Sequence, residues 1–436
     1  MRLDNLYLWF LGDPEHPKYV GELALLATGK GVSLRYAEDW IAHGFPLSED
    51  LPLVNTEFLP PNRFSADTPR AVGAVDDARP DRWGEKVIRF VDRPKRLSLM
   101  EYLFYAGDDR FGALGVSLSE SDYEPRKGGP IPRLDKAQDL SDVVAKIAAS
   151  EPLNEIESKL IAGGGTPLGG AKPKALIEID AHQWVIKFFN HEPVDAPLVE
   201  HATMTLAKKA GIRVARTQVV RLLDGHALAI LRFDRRGSKR IHSISAGTAI
   251  TAASVAGTNA DLGYPALARI LRRQGDTSGD FNQQQATELF RRMVFNILID
   301  NTDDHEKNHS LLVHEPSKRP RFELALAYDI LPTNSGQGYQ EFICGAFGRE
   351  STLENAMSEC ESFGLSPVDA AQEVVKVIDV VNTWQTHFGE IGVCAKDIEM
   401  LEQIIDSEPL RSQRIKFDPN RFCTITKKKK PKNPLA

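Results

Sequence analysis

Asn301-Thr302-Asp303-Asp304-His305-Glu306-Lys307-Asn308 is the stretch on which the reading of this chain turns. It holds two aspartates, a glutamate, a histidine, a lysine and two asparagines. Directly before it, Gln284 to Ile299 repeats apolar residues at helical spacing. Leu289, Phe290, Met293, Val294, Ile297 and Leu298 fall on one stripe, which predicts a core helix. Polar density at the end of a core helix is costly unless the groups are fully hydrogen-bonded or do chemistry.

Asp303 and Asn308 stand as D-x-x-x-x-N, the spacing of a protein-kinase catalytic loop, in which the aspartate takes the hydroxyl proton and the asparagine holds a metal. Asp304 is one residue too close to Asn308 for that frame and reads as the more expendable neighbour. After the octet, His309 to His314 reads as a strand, with Arg321 to Tyr328 as its partner and Asp329 at the end. A kinase places a metal-binding aspartate there, and with Asn308 upstream that reading is favoured over a solvated turn.

Ahead of the octet, Gln183 to Phe189 is an apolar strand with one lysine inside it. Trp184, Ile186 and Phe188 share one face; Val185, Lys187 and Phe189 share the other. A lysine so placed needs an anionic partner, or guards a sheet edge. Its position behind a glycine-rich loop favours the strand lysine that contacts ATP phosphates. That loop, Gly163-Gly164-Gly165-Thr166-Pro167-Leu168-Gly169-Gly170-Ala171-Lys172-Pro173-Lys174, offers backbone N–H groups and lysines to an anion. It is not a Walker A motif, since no G-x-x-x-x-G-K-[ST] occurs and a strand follows, not a helix. Pro197 to Ala210 is a helix with Glu200 in its first turn. Glu200 is either the partner of Lys187 or a helix-dipole acid.

The chain has 436 residues, long enough for two or three domains, with 42% hydrophobic and 26% charged residues, as in soluble globular proteins. No apolar run reaches membrane-spanning length. The four cysteines, Cys344, Cys360, Cys394 and Cys423, form no C-x-x-C, and a reducing cytoplasm is the simplest setting. Net charge is -6, and five lysines crowd into Lys427-Lys428-Lys429-Lys430-Pro431-Lys432, so the body is more acidic still. That argues against a broad nucleic-acid surface, and the tail reads as a solvated, disordered end. The N-terminal part reads as a small β-rich unit, with Pro80 at the first position of a helix and Ser121 to Pro132 as a linker. Ser150 and Pro152 read as the start of a further helix, and Ser366 to Gly389 as one helix. The clusters at Asp76 to Lys86 and Asp108 to Gly115 read as structural turns with salt bridges.

Taken together, Gly169 to Lys174, Trp184 to Phe188, Leu231 to Arg235, the octet and Ala327 to Pro332 resemble HipA-type kinases, the toxin components of bacterial HipA–HipB modules. Pro80-Asp81-Arg82-Trp83-Gly84 and Gly107 to Leu114 are similar to that family's N-terminal unit. The resemblance implies an α+β, two-lobed protein-kinase-like fold. A small β-rich N-terminal subdomain would cover residues 1–135, a kinase N-lobe 150–236, a helical C-lobe 237–426 and a basic tail 427–436. It also implies ATP, magnesium and phosphorylation of serine or threonine. By position, Asp303 is the catalytic base, Lys307 meets the transferred phosphate, and Asn308 and Asp329 hold magnesium. Lys187 contacts phosphates, and Gly169, Gly170, Lys172 and Lys174 lie near the nucleotide, with Arg232 and Phe233 beside them and His305 as a prop in the octet. The family inactivates itself by phosphorylating a serine in the glycine-rich loop; here that position is Pro167, with Thr166 beside it as the available hydroxyl. The implied partners are a HipB-like helix-turn-helix antitoxin, through which alone DNA is met, and a protein substrate of the aminoacyl-tRNA synthetase class.

Two other readings share these residues. One is a small-molecule phosphotransferase, against which the Pro-Asp-Arg-Trp-Gly unit argues. The other is a catalytically weak, antitoxin-bound corepressor, against which the presence of Lys187, Asp303, Asn308 and Asp329 argues.

Overall fold

The computed structural model describes residues 3–60, 70–163, 172–189, 192–254, 260–333 and 336–423. Gly169, Gly170, Thr166 and the lysine tail lie outside the described residues.

The chain opens with an antiparallel meander, β1 (Asn5–Phe10), β2 (Lys18–Leu25) and β3 (Gly31–Tyr36). After α1 (Glu38–His43), the short strands β4 (Glu57–Phe58) and β5 (Arg70–Ala71) both join β3. Helices α2 (Ala74–Asp77), α3 (Arg82–Val91) and α4 (Leu99–Tyr105) follow, and β6 (Leu114–Ser117) closes the sheet beside β1. Helix α3 starts two residues later than the sequence suggests. The Asp81 side chain accepts from the Gly84 N–H at 2.8 Å and caps the helix, leaving Pro80 outside it. The expected linker after β6 has no regular structure, but it is tied down. The Tyr123 hydroxyl donates to Asp108, Arg126 pairs with Asp92 at 2.7 Å, and the Glu178 N–H donates to the Pro132 carbonyl at 2.7 Å.

A second antiparallel sheet is built from β7 (Lys174–Ile179), β8 (His182–Lys187), β9 (Thr217–Arg221) and β10 (His226–Leu231), in the order β7-β8-β10-β9. The alternation read in β8 decides which side chains go where. Trp184, Ile186 and Phe188 join Ala175, Ile177, Ala227 and Ala229 on one face. That face is covered by α5 (Ala137–Ala148), by Ile161 of α6 (Glu155–Gly163), and by Trp83 and Val87 of α3. Helix α3 therefore packs into the core of this sheet, although it comes from the N-terminal part of the chain. Ser150 does not cap α6: it is left-handed (φ 61°), and Asn154 and Glu157 exchange hydrogen bonds at the true start.

The opposite face of the sheet carries Lys187 toward α7 (Ala196–Lys209). Beyond β10 come a two-strand ribbon, β11 (Arg235–Arg236) with β12 (Lys239–Arg240), and then β13 (His242–Ser245), α8 (Ala246–Ala253) and α9 (Tyr264–Gln274). Helix α10 (Phe281–Leu298) buries its predicted stripe completely, with all six side chains at 0% exposure. Strand β14 (Ser310–Val313) lies between β13 and β15 (Glu323–Leu324). The remainder is helical: α11 (Leu353–Ser358), α12 (Pro367–Val381), α13 (Trp384–Ile391), α14 (Ala395–Ile405), α15 (Glu408–Lys416) and α16 (Asn420–Cys423). The single helix expected over Ser366 to Gly389 is two. Both the N–H and the hydroxyl of Thr383 turn back onto the Val380 carbonyl, at 3.0 and 2.7 Å, and end the first.

Candidate active site

Helix α10 delivers the octet through Asp300, whose φ of 58° turns the chain out of the helix. Asn301 fixes the turn: its N–H donates to the Asn296 carbonyl at 2.9 Å and its amide to Asn296 Oδ1 at 3.1 Å. The hydroxyls of Thr302 and Thr333 meet at 2.6 Å. Asp304 is buried, and its Oδ2 accepts from His309 Nε2 at 2.7 Å and from the Tyr264 hydroxyl. Tyr264 OH in turn accepts from Asn296 Nδ2 at 3.0 Å. Burial pushes the Asp304 carboxyl up, but His309 and the Tyr264 hydrogen bond outweigh it and hold it below its usual range. Asp304 is thus the anchor of the loop, and treating it as the expendable aspartate is corrected: its only fault was its offset to Asn308.

Asp303, next to it, points into solvent and accepts no hydrogen bond from a described residue. Partial burial raises its carboxyl, the charge of Asp329 adds to that, and His305 and Lys172 oppose it. His305 props the loop from within, its Nδ1 accepting from the Lys307 N–H at 3.2 Å and its carbonyl from the Asn308 N–H at 2.9 Å. Lys307 presents an exposed side chain, while its carbonyl accepts from Tyr328 OH at 2.7 Å.

Lys187 sits opposite this loop at 6% exposure. Its Nζ donates to Glu200 Oε1 at 2.7 Å and to Asp329 Oδ1 at 2.6 Å, which settles the open question about Glu200. Burial alone would depress the Lys187 ammonium; Asp329 and Glu200 outweigh it and raise it. Burial likewise pushes Asp329 up, but Lys187, helped by Lys174 and Lys172, holds it well below the usual carboxylate range. Asp329 is left-handed at φ 58°, a conformation that aspartate tolerates better than most residues and that recurs at functional sites. It follows Ala327, whose N–H and carbonyl bond to Arg213 and Ala215 beyond α7.

Lys187, Glu200 and Asp329 thus form one ion cluster, close enough to the octet for the charges of Asp329 and Lys172 to reach Asp303. Among the described residues no three of His, Cys, Asp and Glu converge as a ready metal cage. Magnesium does not ask for one: it takes one or two carboxylates plus phosphate oxygens. Asp329 with the Asn308 amide oxygen is a hard-oxygen set that fits it. The lysines suit a polyphosphate.

The other predicted site residues divide. Phe233 lies between the rings of Phe111 and Tyr328, with centroids 5.4 and 5.5 Å away. Lys172 Nζ stands 4.7 Å over the Phe189 ring and 3.8 Å from Glu192. Lys174 is buried and ion-paired with Asp81 at 3.5 Å. Arg232 is a correction. Its five N–H donors all go to protein: Asp234 takes two, and Gln183 Oε1 and the carbonyls of Asp109 and Arg110 one each. No donor is left for a nucleotide. Sequence reasoning missed Tyr264 and the Asp81–Lys174 pair. Each lies far along the chain from its partner, and only the cap spacing from Asp81 to Gly84 gave a local sign.

The family model described as HipA-like C-terminal domain matches residues 166–384, and the one described as HipA N-terminal domain matches residues 16–117. A putative kinase, Y4dM, of Sinorhizobium fredii is 32% identical over 167 residues, covering 34% of this chain and 37% of the relative. The match therefore spans little more than a third of that relative's length. Among solved structures, the Shewanella oneidensis MR-1 HipA of a complex with HipB and operator DNA matches with a TM-score of 0.63. The identity is 19%, over 96% of this chain and 97% of that one. At that identity the likeness is one of fold: two lobes, with a β-rich N-terminal part and a helical C-terminal part.

Proposed function

This chain belongs to the HipA family, and we propose that it is an ATP- and magnesium-dependent serine/threonine protein kinase, the toxin of a HipA–HipB type module. The observation that carries the reading is Lys187, bonded to both Glu200 and Asp329, together with Asp303 exposed on the octet. In a kinase the strand lysine, its helix glutamate and the metal-binding aspartate must all be in place.

Asp303 accepts the proton of the substrate hydroxyl, whose oxygen bonds to the γ-phosphorus as the bond to the bridging oxygen breaks and ADP leaves. Its raised carboxyl moves toward working pH, as suits a general base. Lys187 orients the phosphates, and Lys307, exposed on the same loop, meets the phosphoryl group in transfer. Asn308 and Asp329 would hold magnesium, which supplies positive charge against the phosphates when bound. Lys172, Lys174, Phe233 and the glycine-rich segment border the nucleotide. The likeness to a HipA found with HipB and operator DNA supports a HipB-like antitoxin as partner. The family resemblance supports an aminoacyl-tRNA synthetase as substrate; Thr166, beside the Pro167 that stands in place of the family's serine, is the hydroxyl available for self-phosphorylation.

The test is transfer of labelled phosphate from ATP to the protein itself and to a cell lysate. Asp303→Ala should lower incorporation by about three orders of magnitude. Equal incorporation by wild type and variant would remove Asp303 from the chemistry, and the reading with it.

A further inference from the structure

Lys174 opens β7, directly after the glycine-rich segment, and stands opposite Lys187 in the β7–β8 register. Two buried ammonium groups side by side repel each other, and each needs a counter-charge. Lys187 has Glu200 and Asp329. Lys174 has Asp81 at 3.5 Å, with side chains 6% and 9% exposed. Asp81 is not on the sheet but on the N-terminal side of α3, held there by its cap bond to Gly84. The next residue but one completes the attachment: Trp83 Nε1 donates to the Lys174 carbonyl at 2.8 Å. One turn of α3 thus grips Lys174 by its backbone and by its ammonium. Burial and Lys187 both disfavour the charged form of Lys174, and Asp81 opposes them.

We propose that Asp81 is a positioning residue for the nucleotide site, holding the charged Lys174 beside Lys187 in the cleft where the phosphates bind. The N-terminal part of the chain thereby takes part in ATP binding without touching the nucleotide. The inference rests on the kinase reading above.

Calorimetric titration of the full chain with magnesium and ATP tests it. Asp81→Asn and Asp81→Ser both keep a good helix cap while removing the charge, so the chain should still fold cooperatively. Each should weaken ATP binding about tenfold. Lys174→Met should weaken it to a similar degree. The double variant Asp81→Asn/Lys174→Met should bind no worse than Lys174→Met alone, since the aspartate acts only through the lysine. Unchanged or tighter binding by the Asp81 variants overturns the inference, and so do losses that add. Loss of folding in both cap-preserving variants makes Asp81 structural and overturns it as well. If the wild-type chain fails to bind magnesium and ATP, the kinase reading itself falls and takes this inference with it.

Discussion

Asp303 and Asp304 are adjacent in sequence and differ in solvent by almost everything a carboxylate can feel. Asp304 is 2% exposed and carries the hydrogens of Tyr264 and His309, while Asp303 is exposed and carries none from a described residue. Truncating Asp304 leaves a buried hydroxyl and a buried imidazole N–H unpaired, each costing about 1–3 kcal/mol. Asp304→Ala should therefore lose about 2–4 kcal/mol of stability by chemical denaturation. Asp303→Ala relieves crowding with Asp329 and should leave stability unchanged or slightly higher. Denaturation midpoints that move together would mean that the loop does not divide the two roles. The spacing D-x-x-x-x-N picked out Asp303, the aspartate that is exposed. It carried no sign of the anchor, because Tyr264 lies 40 positions away and Asp304 looks like any loop acid.

Helix α10 shows what periodic sequence reveals and what it hides. Its stripe of six apolar residues was legible because burial repeats every turn, and the same holds for the alternation that aims Lys187 toward Glu200 of α7. The place of α3 in the second sheet's core was not legible, since amphipathic spacing says that a face is buried and never against what. The end of α10 carries a further consequence. Asp300 is a partly buried carboxylate at a helix C-terminus, where the dipole disfavours negative charge, and burial raises it to about 6. The unfolded chain ionises near pH 3.9, so between pH 4 and 6 the folded state holds the extra proton. Stability from this group is complete at pH 4 and is lost as pH rises through about 6. Asparagine keeps the left-handed turn and cannot ionise. Asp300→Asn should match wild type at pH 4 and exceed it at pH 7 by about 1 kcal/mol, after allowance for solvent screening. A stability difference that is the same at both pH values would remove Asp300 as its source.

One buried carboxylate, beside the packing of α3, helps to join the N-terminal part to the lobes. Asp234 is 0% exposed and receives Arg232 through two donors, Arg235 Nη1 at 2.7 Å and the Gly112 N–H at 2.8 Å. Arg232 and Arg235 reach on to the carbonyls of Asp109, Arg110 and Gly112, and the buried Arg110 closes its own turn on Ala78, Leu103 and Gly107. Gly112 holds φ 80°, which lets the turn present its N–H and its carbonyl to the same clasp. Burial pushes the Asp234 carboxyl up, but the two arginines outweigh it and hold it below its usual range. Its contribution is therefore present above about pH 4 and is lost only as pH falls through the lowered value. Arginine cannot shed its charge to escape an unpaired site, so Asp234→Asn leaves the buried Arg232 and the partly buried Arg235 without their carboxylate, at a cost of about 3–5 kcal/mol. The expected failure is local: the turn from Gly107 to Gly112 undocks while the octet, anchored through α9 and α10, stays. Limited proteolysis should then cut the exposed stretch from Glu120 to Pro130 in the variant and spare it in wild type, with amide exchange rising at 107–112 before 301–308. If α3 keeps its grip on Lys174, the undocked variant still binds ATP; if binding is lost together with the turn, the clasp and the cleft are one cooperative unit, and the N-terminal part serves the reaction through its docking as a body.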